Sequence, residues 1–323
     1  MIEELSTRQG KKGLAPTRQQ QKKTTPLQWL GRICTGIVGL ILIAIVMVYV
    51  VTAIRFRKTW DVAFTPLSIP SDAESIERGR HLMTLAKCGE CHGEDLGGKT
   101  IIDHPMMATL SGVNLTAGSG GIGNERSNTD LQRAIRYGLS TDFHGLLGMP
   151  TQEHFYFSDS ELAAIIGAIR ALPPVDRTLP NDKIGPLFRI LYLTDQIELI
   201  GAEELDISGP RPADIPPGVT LEYGEHLVQT GGCYSCHGPA LVGGKMAGAP
   251  PDWPPASNIT PDVDDGIGSW TETDFFLAMR EGIRPDGSAI NPAMPWRYTQ
   301  AMTTQELQSV WMFLQTVPVD KEE

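Results

Sequence analysis

Two short runs carry residues that could do chemistry: Cys88-Gly89-Glu90-Cys91-His92 and Cys233-Tyr234-Ser235-Cys236-His237. Two thiols three positions apart, followed at once by an imidazole, can add to the two vinyl groups of one haem while the histidine takes its iron. A C-x-x-C pair alone reads equally as a redox disulfide or half of a zinc site. Two copies, each with its histidine, in a chain of five cysteines favour attachment of two covalently bound haem c groups. Cys88, Cys91, Cys233 and Cys236 are then the attachment residues, with His92 and His237 as proximal iron ligands.

A c-type haem used only for electron transfer has a second side chain on its open face. The step along the chain from His92 to Met149 equals the step from His237 to Met294, and both methionines precede a proline, in Gly148-Met149-Pro150 and Ala293-Met294-Pro295. The equal reach marks both as distal ligands, although a methionine taken singly is more often core filling. Met106 and Met107 have no counterpart in the second copy. A histidine alternative exists only in the first copy, at His104, His144 or His154, because no histidine follows His237. Iron with two protein ligands leaves no position for a small-molecule substrate, so no catalytic residue is expected. Asn114 and Asn258, each in an Asn-x-Thr triplet, are expected as loop amides closing the haem pockets rather than as glycosylation sites. His81 and His226 recur in register shortly before the first cysteine of each run. On a helix leading into the turn they would face helix packing or a propionate, not the iron.

The elements that position these residues repeat at an offset of 145, with slips of at most one residue downstream. Glu77-Arg78-Gly79-Arg80-His81-Leu82 matches Glu222-Tyr223-Gly224-Glu225-His226-Leu227, and Ala134-Ile135-Arg136-Tyr137-Gly138 matches Ala278-Met279-Arg280-Glu281-Gly282. Each last glycine sits where a C-cap would end a short helix. Ser71 to Glu74, Ser158 to Glu161 and Thr303 to Glu306 have capping-box form. The last two open helices with apolar stripes, Leu162, Ile165, Ile166, Ile169 and Leu307, Val310, Trp311, Leu314.

Residues 1–28 are polar and basic and are expected to be a disordered cytoplasmic tail. Residues 29–54 are expected to be a membrane anchor: Ile33 to Ile54 carries no charge and would rise about 33 Å as a helix. A cleaved signal is the competing reading, but its apolar region would be shorter. Seven Lys or Arg at or before Arg32 place that side in the cytoplasm. The lone Cys34 falls in the anchor as a packing residue. A tether (55–70), a haem domain (71–176), a packed connector (177–217) and a second haem domain (218–323) complete the expected organisation. The apolar middle of the connector, Ile184 to Ile200, reads either as packing along the haem domains or as a patch that docks a partner or the membrane. Residues 1–58 carry a charge of +8 and the remainder of the chain carries −19. That balance excludes nucleic acid and suits a redox protein partner with a basic docking face.

The order of features, from leading helix through C-x-x-C-H turn, long loop, short helix ending in Gly and Met-Pro loop to final helix, resembles class I c-type cytochrome domains. More narrowly, Asn258-Ile259-Thr260-Pro261, Asp265-Gly266-Ile267-Gly268, Ala278 to Gly282 and Ala293-Met294-Pro295 resemble the cytochrome c subunits of membrane-bound alcohol, aldehyde and gluconate-type dehydrogenases. Members of that family have three haems and a carboxy-terminal membrane segment, whereas this chain has two C-x-x-C-H runs and an amino-terminal anchor. The first copy also lacks the proline after Asn114-Leu115-Thr116. The resemblance implies a mainly α fold, a tandem pair of class I domains, to which the charge-free run Ile33 to Ile54 adds one N-terminal transmembrane helix. Taken with the two C-x-x-C-H runs and the basic amino-terminal side of the anchor, the expectation is a dihaem cytochrome in the bacterial inner membrane, facing the periplasm, that is an electron carrier and not itself an enzyme. Electrons would pass from a quinol-oxidising complex or dehydrogenase to an oxidase or soluble carrier. A dihaem subunit of a larger respiratory or photosynthetic complex, and a dihaem peroxidase or thiosulfate-oxidising enzyme, are the rival readings.

Overall fold

The structure is a computed structural model that describes residues 25–319 apart from 208, 210, 247, 248 and 251. The expected disorder of the tail falls almost entirely outside these residues. Helix α1 (Pro26–Phe56) has 31 residues and is, among those described, the one long and apolar enough to cross a membrane. It starts before the charge-free run, with Pro26 at a first-turn position that needs no amide donor. The chain to Met47 forms one compact unit, and Val48 begins a second.

The second unit is mostly helical and contains two sets of helices in the same order. The first comprises α2 (Ala73–Leu85), α3 (Cys88–His92), α4 (Asn128–Tyr137), α5 (Thr151–His154) and α6 (Asp159–Arg170). Helix α7 (Pro186–Leu193) and a single 3-10 turn, Gly201–Glu203, follow. The second set is α8 (Leu221–Thr230), α9 (Cys233–His237), α10 (Glu272–Glu281), α11 (Trp296–Thr299) and α12 (Thr304–Leu314). Helix α2 packs on α6 and α8 on α12, and a glycine allows each backbone contact. A Cβ at Gly79 would lie 2.0 Å from the Ala164 carbonyl oxygen, and one at Gly224 2.0 Å from that of Ser309. The glycine of the repeated Glu-x-Gly-x-His sequence is therefore a helix-crossing residue.

Ser158 with Glu161 and Thr303 with Glu306 form the expected capping boxes of α6 and α12. Two further boxes, Ser127 with Asp130 and Thr271 with Asp274, open α4 and α10, with aspartate in the place the usual pattern gives to glutamate. Gly138 and Gly282 close those helices in the left-handed conformation, at φ 63° and 66°. The start of α2 differs from expectation: its cap is Asp72, not Ser71, and the aspartate carboxylate accepts the Ser75 amide at 2.9 Å. Leu162, Ile165, Ile166 and Ile169 fill one core with Leu82 and Ile135, and Leu307, Val310 and Leu314 fill another with Leu227 and Phe275. A third core joins Trp60 and Val62 to Tyr137, Tyr192, Leu199 and Ile200.

An antiparallel sheet of order β1-β2-β3 stands where a long irregular loop was expected: β1 (Lys99–His104), β2 (Ala108–Gly112) and β3 (Lys183–Ile184). Thr100, Ile101, Ile102 and Thr109 favour extended backbone, and the stretch after α6 supplies the third strand. The hairpin carries Leu110 to the first site.

Candidate functional site

In the first set, α3 presents Cys88, Cys91 and His92, the segment before α5 presents Met149, and all four line one cavity of about 260 Å3. In the second, Cys233, Cys236 and His237 on α9 and Met294 before α11 line a cavity of about 410 Å3. Leu110, Leu115, Ile135 and Ile165 complete much of the first wall, and Ile259, Ile267, Phe275 and Met302 much of the second. Each short helix is entered through a left-handed residue, Lys87 at φ 58° and Gly232 at φ 73°.

The histidines are held by their far nitrogens. His92 Nδ1 donates to the Val113 carbonyl at 2.8 Å, and His237 Nδ1 donates to that of Ser257 at 2.7 Å. A carbonyl only accepts, so the proton belongs on Nδ1 and each Nε2 keeps its lone pair for a metal. Burial depresses both imidazole pKa values and keeps the rings neutral.

Burial has the opposite sign for the thiols, pushing Cys88 up to about 12 and Cys233 up to about 11, with Cys91 and Cys236 also raised. Thiols held protonated are poor zinc ligands and slow redox nucleophiles. Among the described residues, no group of three or more His, Cys, Asp or Glu is arranged around a metal ion. The residues instead fit haem c: an apolar slot with two thiols and a free imidazole lone pair on one wall and a thioether among its other lining residues.

Asn258 lines the second cavity, whereas Asn114 does not line the first. The buried Asn114 amide donates to the Val175 carbonyl at 2.7 Å, and its oxygen accepts the Thr116 amide at 2.9 Å and hydroxyl at 2.8 Å. It fastens the loop to the chain beyond α6 instead of facing the pocket. Of the alternative histidines only His154 lines the first cavity. It is 4 % exposed, and its ring has no side-chain hydrogen-bond partner, its polar neighbour being the Ala86 backbone. His144 bonds the Lys58 carbonyl and His104 the Met106 amide, and neither they nor Met106 and Met107 reach the cavity.

The contacts between the two sets had no reading from sequence. His81 Nε2 lies 2.8 Å from Glu306 Oε1, and His226 Nε2 lies 2.9 Å from Glu161 Oε2, so each repeated histidine meets the capping glutamate of the opposite set. Their recurrence in register signalled a shared role, but not that the partners are exchanged. Lys87, which lines both cavities, donates to the Gly231 carbonyl at 2.6 Å and lies 3.6 Å from Glu153 Oε2. Glu153 Oε1 accepts the Ser235 hydroxyl at 2.7 Å, between the cysteines of the second run.

No family model matches the chain. It is 35 % identical over 97 residues, 29 % of its length, to the cytochrome c subunit of an alcohol dehydrogenase (quinone) from Gluconacetobacter polyoxogenes. It is 33 % identical over 108 residues, 31 % of its length, to a fructose dehydrogenase cytochrome subunit from Gluconobacter japonicus. A diheme cytochrome c-type protein from Cereibacter sphaeroides is 32 % identical over 133 residues, 37 % of the chain. The chain spans 21 %, 22 % and 45 % of the lengths of these three relatives. Its curated relatives are thus named as cytochrome c or cytochrome subunits of dehydrogenases, one of them quinone-linked, and as a diheme cytochrome c.

Proposed function

We propose that the chain is a membrane-anchored dihaem c-type cytochrome made of two class I domains. It would relay single electrons on the periplasmic face of the bacterial inner membrane. The observation that carries this reading is the recurrence, in two cavities, of a C-x-x-C-H helix and a methionine at the same sequence separation from its histidine. When bound, haem supplies one-electron chemistry at iron, with a potential raised by a thioether ligand. Cys88, Cys91, Cys233 and Cys236 provide the covalent attachment. Val113 and Ser257 orient His92 and His237 through their Nδ1 protons, while the apolar walls exclude water. Met149 and Met294 would supply the second iron ligand at each haem and so keep small molecules from the iron. The acidic periplasmic part suits a donor or acceptor with a basic face, a quinol-oxidising complex or dehydrogenase on one side and an oxidase or soluble carrier on the other.

A permanent place in a larger complex is the second reading, favoured by the relatives that are named as dehydrogenase subunits. Haem content measured on the purified chain tests the primary reading. Two haems per chain, falling to one with Cys88→Ala and Cys91→Ala together and to one with Cys233→Ala and Cys236→Ala together, are expected. A single haem in the unmodified protein overturns it, and co-purification after mild solubilisation separates carrier from subunit.

A further inference from the structure

Helix α7 has no polar face. In its sequence, Pro-Leu-Phe-Arg-Ile-Leu-Tyr-Leu, only Arg189 is charged. Phe188 and Tyr192 turn into the third core, whereas Leu187 and Ile190, three apart on another side, are 41 % and 46 % exposed. Met106, 52 % exposed, continues that patch, because the Leu187 amide donates to its carbonyl at 3.0 Å. A helix that is apolar all round belongs in an apolar surrounding. The protein provides that surrounding on one side only.

The remaining side of α7 meets the end of α1. The Arg189 guanidinium lies 4.6 Å from the Tyr49 ring centre and 5.2 Å from that of Phe56, and it donates to the Thr52 hydroxyl. Tyr192 packs on Phe56 at 5.6 Å. Tyr49 precedes Ile54, the end of the charge-free run, by more than one helical turn, about 7.5 Å along the axis. A side chain that touches Tyr49 therefore works below the outer edge of the span. Arg and Tyr are the residue types that settle at that depth, with apolar stems in the acyl region and polar tips among headgroups.

We propose that α7 is an interfacial helix that lies in the outer headgroup layer, with Leu187, Ile190 and Met106 against lipid. The inference rests on α1 being a membrane anchor. It makes the end of α1, α7 and the third core one block seated on the bilayer, and so sets the height of the first cavity above the membrane. Lipid is the occupant because the depth is set by Tyr49 and Thr52; a protein partner at this level would have to displace lipid to reach the patch.

The test uses the haem-loaded full chain in lipid nanodiscs, reduced so that the iron is diamagnetic, with Cys34→Ser as background. Nitroxide labels are placed one at a time by Leu187→Cys, Ile190→Cys, Ile43→Cys and Val263→Cys, the last at a position 65 % exposed in the second set. Collision with oxygen is compared with collision with a water-soluble nickel chelate. Labels at 187 and 190 should share the sign of the one at 43, with oxygen favoured over nickel, and oppose the one at 263. If 187 and 190 match 263 while 43 stays oxygen-rich, the interfacial helix is wrong and the anchor stands. Protection of 187 and 190 from both reagents means that protein covers the patch, which also overturns the proposal. Nickel access at 43 defeats the anchor reading and this inference with it.

Discussion

His226 and Glu161 share hydrogen bonds of 2.9 and 3.0 Å with both side chains only 3 % exposed, and the pair recurs with its partners exchanged, as His81 with Glu306 at 2.8 Å. A third contact follows the same rule. Ser235 in the second C-x-x-C-H run bonds Glu153, and Glu90 in the first bonds Tyr298, which occupies the place of Glu153 in the repeat. Residue i meeting j while j meets i is the pattern of a twofold dimer, here achieved inside one chain. The two cavities are therefore held to one another by paired contacts, and not by the connector alone.

Replacing His226 by leucine should cost about 3 kcal/mol, the lower end for a broken buried pair, since the Glu161 carboxylate loses its main partner. The cost stays at that end because Arg78 remains at 3.8 Å and the Ser158 amide at 3.0 Å. His81→Leu should cost less, because His81 is 28 % exposed. Urea unfolding of the holoprotein measures both, and the same substitution in a Glu161→Gln background should add little. Equal small losses for the two histidines would show that burial does not distinguish the pairs.

The same pairs predict a stability optimum in pH. The hydrogen bond to Glu306, working against burial, raises His81 above its ordinary 6.5. Burial works to raise Glu306 and Glu161, but bonds from His81 with Thr303 and from His226 with Ser158 outweigh it and hold both below 4.5. A raised histidine stabilises fully below 6.5 and loses that contribution as pH climbs through its folded value; a lowered carboxylate stabilises fully above 4.5 and loses it as pH falls. Stability from these contacts should therefore peak between about pH 4.5 and 6.5. Melting temperatures across and beyond that window check it, and His81→Gln should flatten the alkaline limb and, because Glu306 loses the bond that lowers it most, weaken part of the acid limb.

Much of this architecture was written in local patterns. The repeat offset located both C-x-x-C-H helices, both methionines, the capping glutamates and the closing glycines because each depends on neighbours close by in the chain. The sheet was not legible, since β3 comes from beyond α4, α5 and α6 and is a strand of only Lys183 and Ile184. Lys87 was equally silent: an ordinary surface lysine by sequence, it becomes a wall of both cavities only when Gly231 and Glu153 are brought to it by tertiary structure. Asn114 and Asn258 share a triplet, yet Val175 draws the Asn114 amide away from the cavity. Identical local sequence was used differently because the flanking chain differs.

The ligand assignment predicts that Met149→Ala and Met294→Ala each remove half of the methionine-to-iron charge-transfer absorption and lower the potential of one haem. The first cavity also contains His154, whose pKa burial, together with Lys87 and His92, depresses to about 4. A neutral imidazole whose one polar neighbour is the Ala86 backbone keeps a nitrogen free to ligate, so Met149→Ala should acquire a bis-histidine spectrum that Met149→Ala with His154→Ala loses. The second cavity has no histidine besides His237 among its lining residues, and Met294→Ala should instead open a position for cyanide. Loss of the full methionine signal from either single substitution would mean that only one haem uses a methionine.

Lys87 lines both cavities and Glu153, 3.6 Å from it, lines the second, with side chains 21 % and 10 % exposed, so salt screens them weakly. A negative group near a haem favours the oxidised iron and a positive one the reduced. Glu153→Gln should therefore raise chiefly the potential of the haem in the second cavity and Lys87→Gln should lower both, with Ser235 and Gly231 left able to bond the amide that replaces each charge. Because Lys87 lines both cavities, the two haems should move together when it is replaced. Redox titration followed in the visible spectrum at two salt concentrations reads this directly. A Lys87→Gln shift confined to one haem would place the lysine beside that cavity alone, and a shift abolished by salt would place it in solvent rather than in the wall.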